Sequence, residues 1–450
     1  MRTYADALAY LNQFISYERQ QPAKYSPETL SLDRVNALLD RLGRPDRAFR
    51  SIHIAGTKGK GSTAAMIEAC VRAAGYRTGL YTSPHLHTFR ERMRVNGQNI
   101  SREDFARLVD ELEPHVAAVA DVTWFEIITA LAFRHFAQAP IEVGVIEVGL
   151  GGRFDATNVV TPIVSVITPL SLDHTQLLGN SIEQIAFEKA GIIKPRVPVV
   201  SAPQPPAAWE VIRRVARMRA APLTIVPHPP APCEAPRSRG SPKIDPSTSR
   251  CSAQDAILGE GPGMRLPLLG AHQLTNAATA ITALRVANER GLTISDEAMR
   301  AGLLNVQWPG RLEILSREPL VVVDGAHNGD SAEKLAAALR EVFHHDRWTL
   351  IIGISADKDL AAILDALLPI AARVIVTRAR HVRAAAVETL ARHVADRGVT
   401  PIGAAEVAHA IERALADPDP IIITGSLFTV AEARLAWFRR SGRPLPDTDE

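Results

Sequence analysis

A strand, a glycine-rich turn and the start of a helix follow one another in Ser51 to Thr63, Ser-Ile-His-Ile-Ala-Gly-Thr-Lys-Gly-Lys-Gly-Ser-Thr, and this stretch limits the fold more tightly than any other. Ile52 and Ile54 alternate with smaller or polar neighbours, as in a short buried strand. Gly56, Gly59 and Gly61 bracket Lys58 and Lys60, after which Met66, Ile67, Cys70, Val71 and Ala74 recur at helical spacing up to Gly75. Glycines let backbone N–H groups approach an anion, the helix presents its positive end, and a lysine adds a point charge. The stretch is therefore read as a phosphate cradle, with the Ser62 hydroxyl placed for a bound magnesium ion. Its spacing is not the common Gly-x-x-x-x-Gly-Lys-Ser/Thr, because Lys60 precedes Gly61.

A chain of 450 residues exceeds one ordinary core, which favours two domains or three. With 46% hydrophobic and 22% charged residues and a net charge of +2, it reads as a soluble globular enzyme with no electrostatic case for nucleic acid or membrane. Cys70, Cys233 and Cys251 have neither disulfide nor metal spacing, which fits a reducing cytoplasm. The first twenty residues suggest an amphipathic helix, not a signal peptide, and no apolar run reaches membrane length.

Further strands are expected at Thr78 to Thr82, Ile141 to Val148 and Pro162 to Thr168, with helices from Pro27 to Leu42 and Thr123 to Phe136. Ser83, Glu147 and His174 each stand just past or at the end of one of those strands, so an open parallel sheet would carry all three to the rim of the phosphate cradle. A carboxylate at the end of a buried strand, next to Gly149-Leu150-Gly151-Gly152, suits a metal better than a core. Ser181 to Ala190 reads as a short helix with a capping box, and Lys189 continues its apolar stripe. That lysine is either a snorkelling side chain or a buried functional amine, a modified and negatively charged lysine included. The region 227–262 is rich in Pro, Ser, Gly and Arg and reads as an irregular surface excursion. From about residue 310 a second, Rossmann-like α/β unit begins, with Asp324, His327 and Ser426 just past strand ends. A phosphate cradle facing such a unit suggests a nucleotide in a cleft, with the γ-phosphoryl passing to an acceptor or activating a carboxylate for attack by an amine.

Gly56-Thr57-Lys58-Gly59-Lys60-Gly61-Ser62, Ser83-Pro84-His85-Leu86, Glu147-Val148-Gly149-Leu150-Gly151-Gly152-Arg153, Leu172-Asp173-His174, Glu188-Lys189-Ala190-Gly191, His272-Gln273 with Asn276, and Asp324-Gly325-Ala326-His327-Asn328 follow one another along the chain. Together these runs resemble folylpolyglutamate synthase, a family often bifunctional with dihydrofolate synthase and part of the Mur ligase superfamily. The resemblance implies an α/β protein, with a P-loop ATP- and folate-binding domain over 1–307 and a smaller Rossmann-like glutamate-binding domain over 308–450. It also implies ATP-dependent amide formation between a folate or pteroate carboxylate and L-glutamate through an acyl phosphate, in folate biosynthesis and one-carbon metabolism. Gly56 to Ser62, Asn276, Arg311 and Asp324 are then expected at ATP, and Ser83, Glu147 and His174 at Mg²⁺. Lys60, His174 and Lys189 are the expected catalytic residues, Lys189 as a carbamate. Arg92, His327 and Ser426 are expected at the incoming glutamate, and Thr29 to Leu32, Thr123, Trp124, Phe125, Phe154 and Ala156 at the pterin. Lys58 stands where the family usually has Asn and is expected to add charge beside the phosphates. A cytoplasmic monomer acting on small molecules is expected, and the alternatives are a muramyl-type ligase or a regulatory P-loop ATPase that makes no amide.

Overall fold

The computed structural model describes residues 2–18, 30–227 and 266–449; all but Pro227 of the expected excursion lies outside them. The strand that opens the phosphate cradle, β1 (Arg50–Ala55), sits inside an eight-stranded sheet. Its companions are β2 (Thr78–Tyr81), β3 (Met93–Val95), β4 (Gln98–Asn99), β5 (Val143–Glu147), β6 (Val164–Ile167), β7 (Val199–Ser201) and β8 (Leu223–Ile225). The order is β4-β3-β2-β5-β1-β6-β7-β8, parallel except for the β3 and β4 edge. A sheet covered on both faces needs strands that are apolar on both faces, and every residue of β5 and β6 is buried.

One face is covered by helix Lys60–Ala73, which places Met66, Ile67, Cys70 and Val71 in one core with Ile52, Ile54, Val143 and Val145. Burial of each such Val, Ile or Met stabilises by roughly 1.5–3 kcal/mol. Helix Asp296–Leu304 lies so close to it that a side chain on Gly302 would bring a carbon 2.4 Å from the backbone nitrogen of Cys70. The other face is covered by helices Tyr4–Leu11, Leu32–Arg41, Arg102–Val116 and Trp124–Gln138. The second of these starts later than the pattern from Pro27 suggests, because the Ser31 hydroxyl caps it by accepting from the Asp33 N–H.

The second sheet follows the order β13-β12-β11-β14-β10-β9, with β9 (Glu313–Arg317), β10 (Leu320–Val323), β11 (Trp348–Ile352), β12 (Ala371–Val376), β13 (Pro401–Gly403) and β14 (Ile421–Thr424). Only β9 runs antiparallel. No helix among the described residues is long and apolar enough to cross a membrane.

Burial holds several imidazoles neutral. His53, whose Nε2 lies 2.9 Å from the Thr157 hydroxyl, is pushed down to about 3, His87 to about 3 and His135 to about 4. A histidine whose folded value lies below its unfolded one leaves the unfolded chain binding more protons, so its contribution is present above about pH 6.5 and lost as pH falls toward the folded value. Each contributes a slope of ~1.4 kcal/mol per pH unit inside that window. Stability by urea titration is therefore expected to fall steeply between about pH 6.5 and about pH 4.5, and His53→Gln is expected to flatten the slope. Stability that stays level or rises on acidification would contradict this account.

Candidate active site

Parallel pairing of β2, β5, β1 and β6 brings their carboxyl ends to one rim, so the residues that follow each strand meet there. After β1 comes the glycine loop. Gly59, at φ +80, caps helix Lys60–Ala73, and a side chain on it would come within 2.2 Å of the Asn276 Oδ1. One on Gly61 would come within 2.7 Å of the Trp308 indole. The Thr57 and Lys58 N–H groups both donate to the Pro169 carbonyl at 3.1 Å. The first half of the glycine loop is thereby tethered to the loop after β6. The amides of Lys60, Gly61 and Ser62 open the helix and have no acceptor one turn earlier within it, the arrangement that suits an anion.

Glu147 ends β5 at 3% exposure, with its Oε2 accepting the Ser83 N–H at 3.2 Å and its Oε1 4.0 Å from the Lys60 ammonium. Burial pushes its carboxyl up to about 7, against the pull of Lys60. A carboxylate so poorly compensated is what a divalent cation would stabilise, and the hydroxyl, carboxylate and imidazole donors of Ser83, Glu147 and His174 suit Mg²⁺. His174 stands in the loop after β6 at φ 50, and burial, then the nearby cations Lys358, Lys189 and Lys60, lowers it to about 4, which leaves its ring neutral near pH 7. Ser83 and Glu147 touch; His174 is joined to them through the field of Lys60. Lys189, 5% exposed on helix Ile182–Ala190, donates to the Gly56 carbonyl at 2.9 Å. Its amine is lowered to about 7, first by burial and then by Lys60.

Asp173 joins the two sheets' loops. Its Oδ2 accepts from Lys58 Nζ at 3.2 Å and from Asn328 Nδ2 at 2.9 Å, and Lys358 Nζ lies 3.6 Å from Oδ1. Asn328 follows β10 and Lys358 follows β11, while Ser171 reaches Asp330 at 3.2 Å, so the second sheet's carboxyl ends face the glycine loop. The cations outweigh burial and hold Asp173 well below the usual carboxylate range. Lys58 thus spends its charge on Asp173, and burial lowers its amine, which differs from the expected free charge beside the phosphates. The sequence reading quoted Asp173 without giving it a role and missed Lys358; the signal available was a lysine two acidic residues flank, just past a strand end.

Asn276 donates to Gln273 at 2.9 Å beside Gly59. Asp324 accepts from the Leu312 and Ala326 N–H groups, each at 2.8 Å, and Arg311 lies against Gly325, so these two residues brace the start of the second domain. His327 and Ser426 follow the paired strands β10 and β14. His327 Nδ1 lies 2.8 Å from the Gly325 carbonyl and Ser426 caps helix Leu427–Ser441. Arg92 is not gathered with them. It is 1% exposed, bonded bidentately to Glu18 at 2.7 and 2.8 Å and stacked 5.0 Å over Trp124. Three more of the expected pterin residues join Trp124 in one apolar cluster, Leu32, Phe125 and Ala156; Thr123 caps the helix that carries Trp124 and Phe125, Phe154 lies by Arg153, and Thr29 falls outside the described residues.

A glycine cradle under one parallel sheet, closed by the loops of a second α/β domain, is the architecture of a Mur-type ligase, and the sequence matches the Mur ligase middle domain over residues 54–202 and the Mur glutamate ligase domain over 310–427. A dihydrofolate synthase/folylpolyglutamate synthase of Bacillus subtilis is 37% identical over 90% of this chain and 94% of its own length. A Mycobacterium tuberculosis folylpolyglutamate synthase solved with ADP and AMPPCP superposes with a TM-score of 0.81 at 35% identity, covering 98% of this chain and 100% of that one. A bifunctional enzyme of the same kind from Yersinia pestis, complexed with AMPPNP and a manganese ion, gives 0.78 at 32%, covering 96% and 97%. The chain belongs to the folylpolyglutamate synthase/dihydrofolate synthase family.

Proposed function

We propose that this protein joins L-glutamate to the carboxyl group of a folate, of dihydropteroate, or of both, with ATP consumed and an acyl phosphate formed on the way. The observation that carries the reading is the Asp173 junction, which sets loops of the second domain, Asn328 and Lys358, against the phosphate cradle. A cradle alone fits any nucleotide-hydrolysing switch. A cradle faced by a glutamate ligase domain fits transfer to a carboxylate and then to an amine.

In this reading 1–307 binds ATP and the pterin substrate, and 308–450 binds glutamate. The Lys60 ammonium and the first amides of its helix hold the terminal phosphates, and the Asn276, Arg311 and Asp324 group lies at the nucleotide. Bound at Ser83, Glu147 and His174, Mg²⁺ would supply charge neutralisation to the phosphates. Thr123, Trp124, Phe125, Phe154 and Ala156 form the pterin wall. His327 and Ser426 orient the glutamate so that its amine meets the activated carboxyl, and closing the cleft excludes water that would hydrolyse it. Arg92 takes part in holding glutamate only by exchanging Glu18 for the ligand's carboxylate. The protein acts as a cytoplasmic monomer on small molecules, without nucleic acid or membrane.

The test offers purified protein ATP, Mg²⁺ and labelled glutamate with dihydropteroate, tetrahydrofolate or a UDP-muramyl acceptor, and reads added glutamyl mass. A glutamyl pterin is expected. ADP release that ignores both pterin and glutamate would identify a regulatory ATPase instead, and a muramyl product would move the chain to the other branch.

A further inference from the structure

The loop Ser83–Arg92 carries Ser83 at one end and Arg92 at the other, and its base is closed by Thr82 N–H donating to the Arg92 carbonyl at 3.1 Å. Although the loop belongs to the first domain, much of what holds it comes from the second. Arg434, on helix Leu427–Ser441, bonds the His87 ring and also Glu313 at 2.9 Å. The segment that leaves this helix, 443–449, then runs back onto the same loop. Its Asp449 carboxylate accepts the Phe89 N–H at 2.9 Å, the Thr88 hydroxyl at 2.5 Å and the Tyr4 hydroxyl at 2.6 Å, three groups that are 4%, 1% and 7% exposed. Asp447 pairs with Arg90, which in turn donates to the Ile100 carbonyl at 2.8 Å, and with Arg102 at 3.4 Å, while the Thr448 carbonyl accepts from Arg102 at 2.6 Å.

The Asp449 carboxylate, from an otherwise exposed, irregular segment, therefore ends among buried donors, and Asp447 flanks it on a more exposed arginine pair. A buried amide and two hydroxyls converging on one carboxylate are costly to leave unpaired, so Asp449 is held in place and holds the Thr88–Phe89 backbone in return. The gripped residues lie between Ser83, whose N–H is bonded to Glu147, and Arg92. Drift of Thr88 to Arg92 displaces Arg92 itself and, through the Thr82 N–H bond to the Arg92 carbonyl, pulls on the residue next to Ser83.

We propose that Asp449 and Asp447 are positioning residues for the ligase reaction: they clasp the Ser83–Arg92 loop to the second domain, so that Ser83 and Arg92 keep their places when glutamate and ATP are bound across the cleft. This rests on the reading of Ser83 as a metal ligand and Arg92 as a glutamate-side residue. The second domain thereby sets the geometry of a loop in the first, beyond the contacts at Asp173.

The experiment compares the full chain with Asp449→Asn, Asp447→Asn and Asp449→Glu. In Asp449→Asn the amide nitrogen puts a donor against donors, and amide hydrogen exchange at Thr88 to Arg92 is expected to speed up about tenfold, with Arg50–Ala55 unchanged. KM for glutamate is expected to rise about tenfold with a smaller change in kcat, and Asp449→Glu is expected to recover most of it. Asp447 is partly exposed, so Asp447→Asn should act more weakly, and high salt should imitate it in the unaltered protein. Unchanged exchange at Thr88 to Arg92 in Asp449→Asn overturns the clasp. Faster exchange with unaltered kinetics overturns the positioning role and leaves a purely structural contact. Should the unaltered protein show no glutamate-dependent ADP release, the functional reading fails and the positioning role with it, while the exchange data still decide whether the clasp exists.

Discussion

Replacing Lys60 with alanine is expected to lower glutamate-dependent ADP release by on the order of 10³-fold or more, with the fold intact. Phosphoryl transfer places developing charge on oxygens, and the chain meets it with a preorganised cation and helix amides. Lys60 opens helix Lys60–Ala73 with its side chain 18% exposed at the rim, so its removal empties no core. A partly exposed side chain of this kind changes stability by about 0.5 kcal/mol or less, or ~2 °C in melting temperature. The Lys60 ammonium also lies 4.0 Å from the Glu147 carboxylate, where it repels a divalent ion, so its removal does not weaken the metal site and extra magnesium is not expected to restore the lost contact with the phosphates. Lys60→Ala should therefore depress turnover at every magnesium concentration, and Lys60→Arg, which keeps the charge on a different geometry, should fall between Lys60→Ala and the unaltered chain. ADP release assayed against magnesium concentration checks both. Full turnover in Lys60→Ala would mean that the phosphates lie outside the glycine loop.

The parts of this molecule that were legible in the sequence are those where one local signal sufficed. Ile52, Ile54 and the glycines marked β1 and its turn; the β-branched residues in 141–148 marked a buried strand; Ser181 with Gln184 marked a helix start that forms as a capping box, and Thr123 with Glu126 forms another that the apolar pattern alone did not announce. The edges were not legible. β7, β8 and β13 are three residues each, and Leu223, Thr224 and Ile225 or Pro401 and Ile402 become strands because a neighbour offers a ladder, which composition does not record. Arg102–Val116, which the sequence analysis did not place, carries Phe105, Leu108, Val109 and Leu112 at helical spacing, and Pro114 sits in its last turn without ending it. In the site, the type of residue at each strand end was readable and the partner was not. Lys58 beside Lys60 reads as added positive charge, and only the fold reveals that Asp173 neutralises it; Arg92 reads as a free anion-binding group, and only the fold reveals Glu18. Pairings of this sort join residues 74 to 115 positions apart, beyond any local pattern.

Lys189→Ala is expected to lower turnover by roughly a hundredfold, and Lys189→Arg by as much. Those two variants separate the roles the side chain can play. As a cation it would be replaced tolerably by arginine; as an amine that takes up CO₂ it would not. The surroundings favour the second role. Lys189 is enclosed, it meets the Gly56 carbonyl, and Lys60 and Lys58 add positive charge that disfavours a further ammonium. With its value near 7, about half the amine is unprotonated at neutral pH. In the carbamate role the unprotonated nitrogen would attack CO₂ and lose a proton, giving a carbamate whose negative charge the same lysines would stabilise instead of opposing. Since the folded value lies below the unfolded one, acidification toward about pH 6 protonates the amine and should cut activity, and added bicarbonate should restore part of it. Labelled bicarbonate should give a carbamate carbon signal in the unaltered protein that is missing from Lys189→Ala. A short carboxylic acid supplied to Lys189→Ala should recover some turnover by standing in for the lost anion, and should do nothing for Lys189→Arg, whose guanidinium fills the space. Activity indifferent to CO₂ depletion, together with a Lys189→Arg variant as active as the unaltered chain, would assign Lys189 a cationic role and remove the carbamate from the mechanism.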